Sequence, residues 1–155
     1  MTPGMAASGN GPRPSRFYPR AVALRCVIID DSPGFLRAAR ALLEQQGLHV
    51  VGVASTGAEG IRCTADQHPD VTLVDIGLGA ESGFDVARQL VDDPSGDPGQ
   101  VILISAQAQD DFADLIEASP AVGFVMKPAL SVGAIERLLR PPGAAGDGAG
   151  ERVGR

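Results

Sequence analysis

The sequence lacks the features that mark secreted and membrane-spanning proteins. It has only two cysteines, Cys26 and Cys63, in 155 residues, which is too few for a disulfide framework and fits a reducing compartment. No apolar run approaches the about 18 residues that a membrane-spanning helix needs. Residues 1–20 also lack the apolar stretch of a secretion signal. These absences predict a cytoplasmic protein without membrane contact.

Basic residues are scarce, and lysine is almost missing. Thirteen basic residues stand against nineteen acidic ones, so the net charge is −6. Modules that bind duplexes normally carry a basic surface that displaces counterions from phosphates, and we therefore expect no direct nucleic-acid binding. Lys127 is the one lysine of the sequence. It is a weak hint of a site where a compact point charge is needed.

Composition divides the chain into three parts. Residues 1–22 are rich in Gly, Pro, Ser and Arg without hydrophobic periodicity, which predicts a flexible leader. Residues 141–155 open with two prolines and hold several glycines, which predicts a disordered tail. Residues 23–140 have the length of one compact domain. The 44% apolar content is enough for a packed core.

Within residues 23–140, short apolar runs alternate with helix-like stretches. The predicted strands are Leu24–Ile29, His49–Ala54, Val71–Val74, Val101–Ile104 and Ala121–Met126. Five strands that alternate with five helices predict an α/β fold, with a parallel sheet covered on both faces.

The predicted helices begin at polar caps. Ser32 and Thr56 are expected N-caps of the first two, and the others cover about 84–91, 110–118 and 131–140. An apolar stripe of the first helix is expected to face the core; it consists of Phe35, Ala38, Ala39, Leu42 and Leu43.

Polar side chains follow four of the predicted strands. Asp30 and Asp31 follow the first strand, Asp75 the third, Ser105 the fourth and Lys127 the fifth. Because ligands bind beyond the carboxyl ends of parallel strands, we expect these groups to share a cleft. Three close carboxylates repel one another and need a cation. An all-oxygen site favours Mg²⁺, and no Cys or His pair has zinc spacing.

This combination of groups predicts phosphoryl transfer. A carboxylate beside Mg²⁺ can attack phosphorus and form an aspartyl phosphate. A lysine and a hydroxyl nearby can balance and hydrogen-bond the phosphoryl oxygens.

Four sequence blocks resemble the receiver domain of bacterial two-component response regulators, and the resemblance runs from about Leu24 to Arg140. The blocks are Ile28-Ile29-Asp30-Asp31-Ser32, Leu73-Val74-Asp75-Ile76, Leu103-Ile104-Ser105-Ala106 and Phe124-Val125-Met126-Lys127-Pro128. The resemblance implies a flavodoxin-like, doubly wound sheet with strand order 2-1-3-4-5.

The resemblance also implies a role for each matching residue. Asp75 would accept the phosphoryl group, and the Mg²⁺ ligands would be Asp30, Asp31, Asp75 and the backbone carbonyl of Gly77. Ser105 and Lys127 would stabilise the phosphoryl group. Ser105 and Phe124 would form the switch, although a phenylalanine on a strand is as readily a core residue.

Three further positions follow from the same comparison. Gly77 and Gln107 stand where receivers tune hydrolysis of the aspartyl phosphate. Gly79 stands where the family often has proline, which predicts a less rigid loop before Gly83. The Lys127–Pro128 bond is a candidate cis peptide.

The expected function is therefore that of a stand-alone receiver, because only fifteen residues follow the domain. A histidine kinase or phosphotransfer protein would phosphorylate it, and it would act as a signalling protein or phosphorelay carrier rather than an enzyme. Output would pass to a protein partner through helix four, strand five and helix five, with a homodimer as an option. The main alternative is a receiver-like interaction module that works without phosphorylation.

Two other classes fit less well. A phosphatase with an aspartate nucleophile would place a second Asp where Ser32 stands. A flavin-binding module would want aromatic residues around the ring, and the chain has no Trp and a single Tyr.

Overall fold

A computed structural model describes residues 23–139 as a parallel sheet of five strands with helices on both faces. The sheet order is β2-β1-β3-β6-β7. Its strands are β1 (Arg25–Ile29), β2 (His49–Ala54), β3 (Val71–Asp75), β6 (Gln100–Ser105) and β7 (Gly123–Met126). A separate antiparallel pair consists of β4 (Gly77–Leu78) and β5 (Glu81–Ser82). The predicted leader and tail lie outside the described residues.

The helices return the chain between the strands. They are α1 (Pro33–Gln45), α2 (Gly57–Gln67), α3 (Gly83–Asp92), α4 (Ala113–Ala118) and α5 (Val132–Leu138). Of these helices, none within residues 23–139 is long and apolar enough to cross a membrane. With the β4–β5 hairpin set aside, the order reads 2-1-3-4-5, so the predicted flavodoxin-like α/β fold is confirmed.

Two apolar cores lie on the two faces of the sheet. Alternate residues of β1 divide between them, since Cys26 and Ile28 belong to one core and Val27 and Ile29 to the other. Helices α1 and α5 cover the first core, and α2, α3 and α4 cover the second. Because the central strands are buried on both faces, they read as nearly continuous apolar runs.

The caps of α1 and α2 follow the prediction, whereas part of the apolar stripe does not. The hydroxyls of Ser32 and Thr56 accept hydrogen bonds from the first-turn amides of α1 and α2. In α1, Ala39 is fully packed, but Ala38 and Leu42 are exposed. The expectation that all five apolar residues face the core is wrong for these two, because α1 packs along a narrower stripe.

The fourth helix is shorter than predicted. A 3₁₀ turn covers Gln109–Phe112, and the α-helix begins only at Ala113. The residue that precedes the turn, Ala108, has no side chain that can cap a helix. The first turn therefore tightens into 3₁₀ geometry, as uncapped helix ends often do.

The loop after β3 is an ordered hairpin. Gly77 pairs with Ser82 and Leu78 with Glu81, which leaves Gly79 as the first of two turn residues. Gly79 has φ +60°, the conformation that a type II′ hairpin turn requires at this position. Since proline is fixed near φ −65°, a proline at position 79 would not fit this turn.

Substitution of Gly79 tests the hairpin. We expect Gly79→Ala to lower the free energy of unfolding by about 1 kcal/mol, because a Cβ is strained at positive φ. Gly79→Pro should cost more, since the ring cannot adopt that φ. Urea unfolding measures both effects.

Gly34→Ala is the matched control for this test. A Cβ at Gly34 meets no atom within 4 Å, and alanine should stabilise α1 by about 0.5 kcal/mol. A Gly79→Pro variant as stable as the parent protein would contradict the hairpin.

Candidate functional site

The ion pair between Asp30 and Lys127 lies at the carboxyl edge of the sheet. Lys127 Nζ is 2.7 Å from Asp30 Oδ2 and 3.5 Å from Asp75 Oδ2. The side chain of Asp30 is 0% exposed and that of Lys127 18% exposed. The amide of Ser32 donates to Asp30 Oδ1 over 2.9 Å. Asp30 is thus held by a backbone amide and an ammonium, as a buried carboxylate requires.

Asp75, the last residue of β3, is buried beside this pair. Burial raises the pKa of the Asp75 carboxyl, and the negative charge of Asp30 raises it further. Lys127 and the backbone amide of Gly77 act in the opposite direction and stabilise the ionised form. The pKa of Asp75 is therefore raised overall, chiefly because burial disfavours the ionised carboxylate and secondly because Asp30 repels it.

Asp31 completes an acidic cluster with Asp30 and Asp75. One carboxylate oxygen from each of the three residues lies within 4.8 Å of the others. Asp31 is exposed, whereas the other two are buried. Its Oδ2 lies close to Gly79, where a Cβ would approach it to 3.1 Å. The cluster presents only oxygen ligands to a cation.

Two glycines of the loop lie beside the acids, and at Gly83 only a glycine fits. Gly77 is exposed and carries the amide that bonds to Asp75. At Gly83 a Cβ would lie 2.0 Å from the carbonyl oxygen of Asp75. The amide of Gly83 donates to Ile76 over 2.7 Å. A side chain at Gly83 would therefore displace the backbone of the residue that carries the central carboxylate.

Ser105, the last residue of β6, is buried near the same edge. Its Oγ accepts a hydrogen bond of 3.0 Å from the amide of Gln107. Within the described chain, the hydroxyl makes no hydrogen bond to Asp75. The side chain of Gln107 is exposed. The structure therefore brings Asp30, Asp31, Asp75 and Lys127 together and leaves Ser105 beside them, engaged by the next loop.

Phe124 and Pro128 flank the lysine on the chain. Phe124 is half-buried in β7 and packs against the second core. The expectation of a cis bond before Pro128 is wrong, since no peptide bond in residues 23–139 is cis. Lys127–Ala129 instead form a 3₁₀ turn, with the amide of Leu130 donating to Lys127.

Sequence reasoning did not find two residues near the site. Phe35 was expected only as a core residue, yet its ring centroid lies 4.3 Å from Lys127 Nζ. Glu81 of β5 accepts a 2.8 Å hydrogen bond from the amide of Gly57 and so ties the hairpin to the start of α2. No local sequence pattern pointed to either long-range contact.

Comparison with known proteins identifies the class. The family model of the response regulator receiver domain matches residues 26–138, so the chain belongs to that family. It is 38% identical over 104 residues to the transcriptional regulatory protein KdpE of Mycobacterium tuberculosis, covering 66% of this chain and 43% of that protein. The chain spans 22% of the length of a protein-glutamate methylesterase from Hahella chejuensis and 49% of that of a putative transcriptional regulator from Pseudomonas aeruginosa.

Solved structures show the same fold. A two-component response regulator of the LuxR family from Aurantimonas is 26% identical with a TM-score of 0.65, covering 84% of this chain and 99% of that one. The receiver domain of the sensor histidine kinase PA1611 from Pseudomonas aeruginosa is 20% identical with a TM-score of 0.62, covering 76% and 95%. That domain is described with a magnesium ion in its active-site cleft.

Because the folded state raises the pKa of Asp75, replacing its carboxylate with a neutral side chain should stabilise the protein, by an amount that depends on pH. In metal-free buffer at pH 7, we expect Asp75→Asn to raise the melting temperature by a few degrees, because an ionised Asp75 is less favourable in the folded protein than in the unfolded chain. In the parent protein, the stability cost of ionised Asp75 disappears as the pH falls towards the ordinary aspartate pKa of about 4. The difference in melting temperature between Asp75→Asn and the parent protein should therefore decrease over the same pH range. Thermal unfolding between pH 4 and 7 measures it.

Asp66→Asn is the control, because Asp66 is exposed near the end of α2, away from the acidic cluster. A rise in melting temperature equal to that of Asp66→Asn, or one that stays the same down to pH 4, would contradict a raised pKa of Asp75.

Proposed function

We propose that this receiver accepts a phosphoryl group on Asp75 in a Mg²⁺-dependent reaction and that phosphorylation alters its contacts with other proteins. The observation that carries the proposal is the ammonium of Lys127, which lies between Asp30 and Asp75 at the carboxyl edge of the sheet. Membership of the receiver family supports the same conclusion. The donor would be a histidine kinase or a phosphotransfer protein.

The acidic cluster fits a hard divalent cation. Asp30, Asp31 and Asp75 each offer an oxygen within 4.8 Å of the others, and oxygen ligands suit Mg²⁺. Asp75 is buried beside the carboxylate of Asp30, which raises its pKa after burial itself, and a bound cation would offset both effects. We assign the carbonyl of Gly77 as a further ligand. Bound Mg²⁺ would neutralise charge on the carboxylates and on the phosphoryl oxygens.

Asp75 is the proposed nucleophile. One of its carboxylate oxygens attacks the phosphorus of a phosphohistidine, an O–P bond forms and the P–N bond breaks. The electron pair of that bond stays on the imidazole nitrogen, which takes up a proton from solvent. Asp75 is suited to this role because it is still partly accessible, with 10% of its side chain exposed, whereas Asp30 has none.

Lys127 and Ser105 would hold the phosphoryl group after transfer. Lys127 lies 3.5 Å from Asp75 Oδ2, and its remaining N–H groups can donate to phosphoryl oxygens. The hydroxyl of Ser105 accepts from Gln107 in this structure, which leaves its own proton available for donation. We propose that Ser105 turns towards the phosphoryl group on activation.

Hydrolysis would reset the switch. Water attacks the phosphorus, the bond between phosphorus and Asp75 breaks, and inorganic phosphate leaves. Gly77 has no side chain to guide that water, while the exposed Gln107 follows Ser105 closely enough to orient it. We propose that Gln107 sets the lifetime of the aspartyl phosphate.

The proposed output surface consists of α4, β7 and α5. Phe124 lines an open groove of about 300 Å³ on it, together with Met126, Ala134 and Leu138. Met126 is 37% exposed and Leu115 of α4 is 53% exposed, so apolar area is available for a protein partner. We propose that phosphorylation changes this face through Ser105 and Phe124. A downstream protein would bind there, with a second copy of the chain as the other option.

Intact-mass analysis after incubation with acetyl phosphate tests the proposal. With Mg²⁺, the parent protein should gain about 80 Da, the mass of one phosphoryl group added to a carboxylate. The gain should be absent with EDTA and in Asp75→Ala. Asp66→Ala, an exposed aspartate away from the site, is the matched control and should be phosphorylated like the parent.

The absence of a mass gain in the parent protein would also be informative. A folded parent protein that binds Mg²⁺ but shows no adduct would contradict the proposal. It would favour a receiver-like module that signals by protein binding without phosphorylation.

A further inference from the structure

The ammonium of Lys127 contacts an aromatic ring as well as two carboxylates. Nζ lies 4.3 Å from the centroid of the Phe35 ring, 2.7 Å from Asp30 Oδ2 and 3.5 Å from Asp75 Oδ2. A cation within about 6 Å of a ring centroid is attracted by the negative face of the ring. The position of the ammonium is therefore defined by three groups, one of which carries no charge.

The ring itself is held firmly in place. Phe35 lies in the first turn of α1, and its amide donates to the capping hydroxyl of Ser32 over 3.2 Å. Pro33 occupies the first position of the helix, where its fixed φ suits the helical backbone. The Phe35 side chain is half-buried and packs against the first core. Cap and core thus fix the ring independently of the lysine.

Lys127, in contrast, is flexible by nature. Four methylene groups separate its ammonium from the backbone, and the three N–H donors rotate freely. Without the ring, the two carboxylates would still attract the ammonium, but solvent would have access to its other side. A ring face excludes that water and narrows the set of positions that Nζ occupies. Such preorganisation matters most when charge moves onto a neighbouring phosphoryl group.

We propose that Phe35 is a positioning residue that holds the Lys127 ammonium over Asp30 and Asp75 and thereby speeds phosphoryl acceptance on Asp75. The inference rests on the proposed function of Asp75. Phe35 acts through Lys127 and is itself neither the nucleophile nor a proposed Mg²⁺ ligand.

Conservative variants distinguish the cation–π contact of the Phe35 ring from the packing of its side chain. Phe35→Leu and Phe35→Met keep an apolar side chain but remove the ring face, whereas Phe35→Tyr keeps it. At saturating Mg²⁺, we expect the first two to accept phosphate from acetyl phosphate about fivefold more slowly, within the range that cation–π contacts produce. Phe35→Tyr should stay within about twofold of the parent protein, by the same argument.

Two controls exclude a general loss of structure. Each variant is compared with the parent protein at its own saturating Mg²⁺ concentration, so that a change in Mg²⁺ affinity caused by displacement of Lys127 does not affect the measured rate. Phe112→Leu deletes another half-buried ring, one that packs against Phe84 at 6.1 Å between centroids. It should react at the parent rate.

The single lysine of the sequence gives a direct readout of the contact. Because the sequence has one lysine, its ε-methylene protons give a single lysine ε signal in an NMR spectrum. The face of an aromatic ring shifts the signals of nearby protons upfield. We expect the shifted signal in the parent protein and in Phe35→Tyr. In Phe35→Leu and Phe35→Met it should return to the position of a free lysine.

The outcomes are distinguishable. Slower acceptance in the Leu and Met variants, with rescue by Tyr and the expected lysine shifts, supports the inference. Parent-like rates in Phe35→Leu and Phe35→Met, or an unshifted lysine signal in the parent, overturn it and leave the role of Asp75 intact. A parent protein that accepts no phosphate overturns the proposed function and the inference together.

Discussion

The ion pair between Lys127 and the buried Asp30 is the constraint on which the site depends. Asp30 has no exposed side-chain surface, and an ionised carboxylate in such a place is costly unless it is paired. Its partner, Lys127, follows the edge strand β7, and β3 and β6 separate that strand from β1. The pair therefore forms only when all four strands end at one edge. In this way a single contact links the fold to the chemistry of Asp75.

A second constraint comes from the backbone around Asp75. Gly83 leaves no room for a Cβ beside the Asp75 carbonyl, and Gly79 makes a turn at positive φ. The β4–β5 hairpin, which contains Gly79 and precedes Gly83, is anchored to α2 through Glu81 and the amide of Gly57. These contacts fix the loop that carries the Gly77 amide. The site is thus held by backbone geometry on one side and by Lys127 on the other.

The sequence predicted the parts of this arrangement that follow from strand ends. Asp30 and Asp75 stand at the ends of buried strands, Lys127 directly follows the apolar run of β7, and parallel pairing brings such residues to one edge. Contacts that depend on tertiary packing were not predictable in this way. Whether Phe35 faces the core or a lysine ninety-two positions later depends on how α1 meets β7. For the same reason Ala38 and Leu42 proved to be exposed, and the long-range contact of Glu81 had no local signature.

A double-mutant cycle on Lys127 and Asp30 tests the central role of their ion pair most directly. Lys127→Met leaves a fully buried carboxylate without its cation and should lower the free energy of unfolding by about 3 kcal/mol in metal-free buffer. Adding Asp30→Asn removes the unpaired charge and should restore most of that loss. If Lys127→Met instead unfolds at the same urea concentration as the parent protein, the ion pair does not hold the site together.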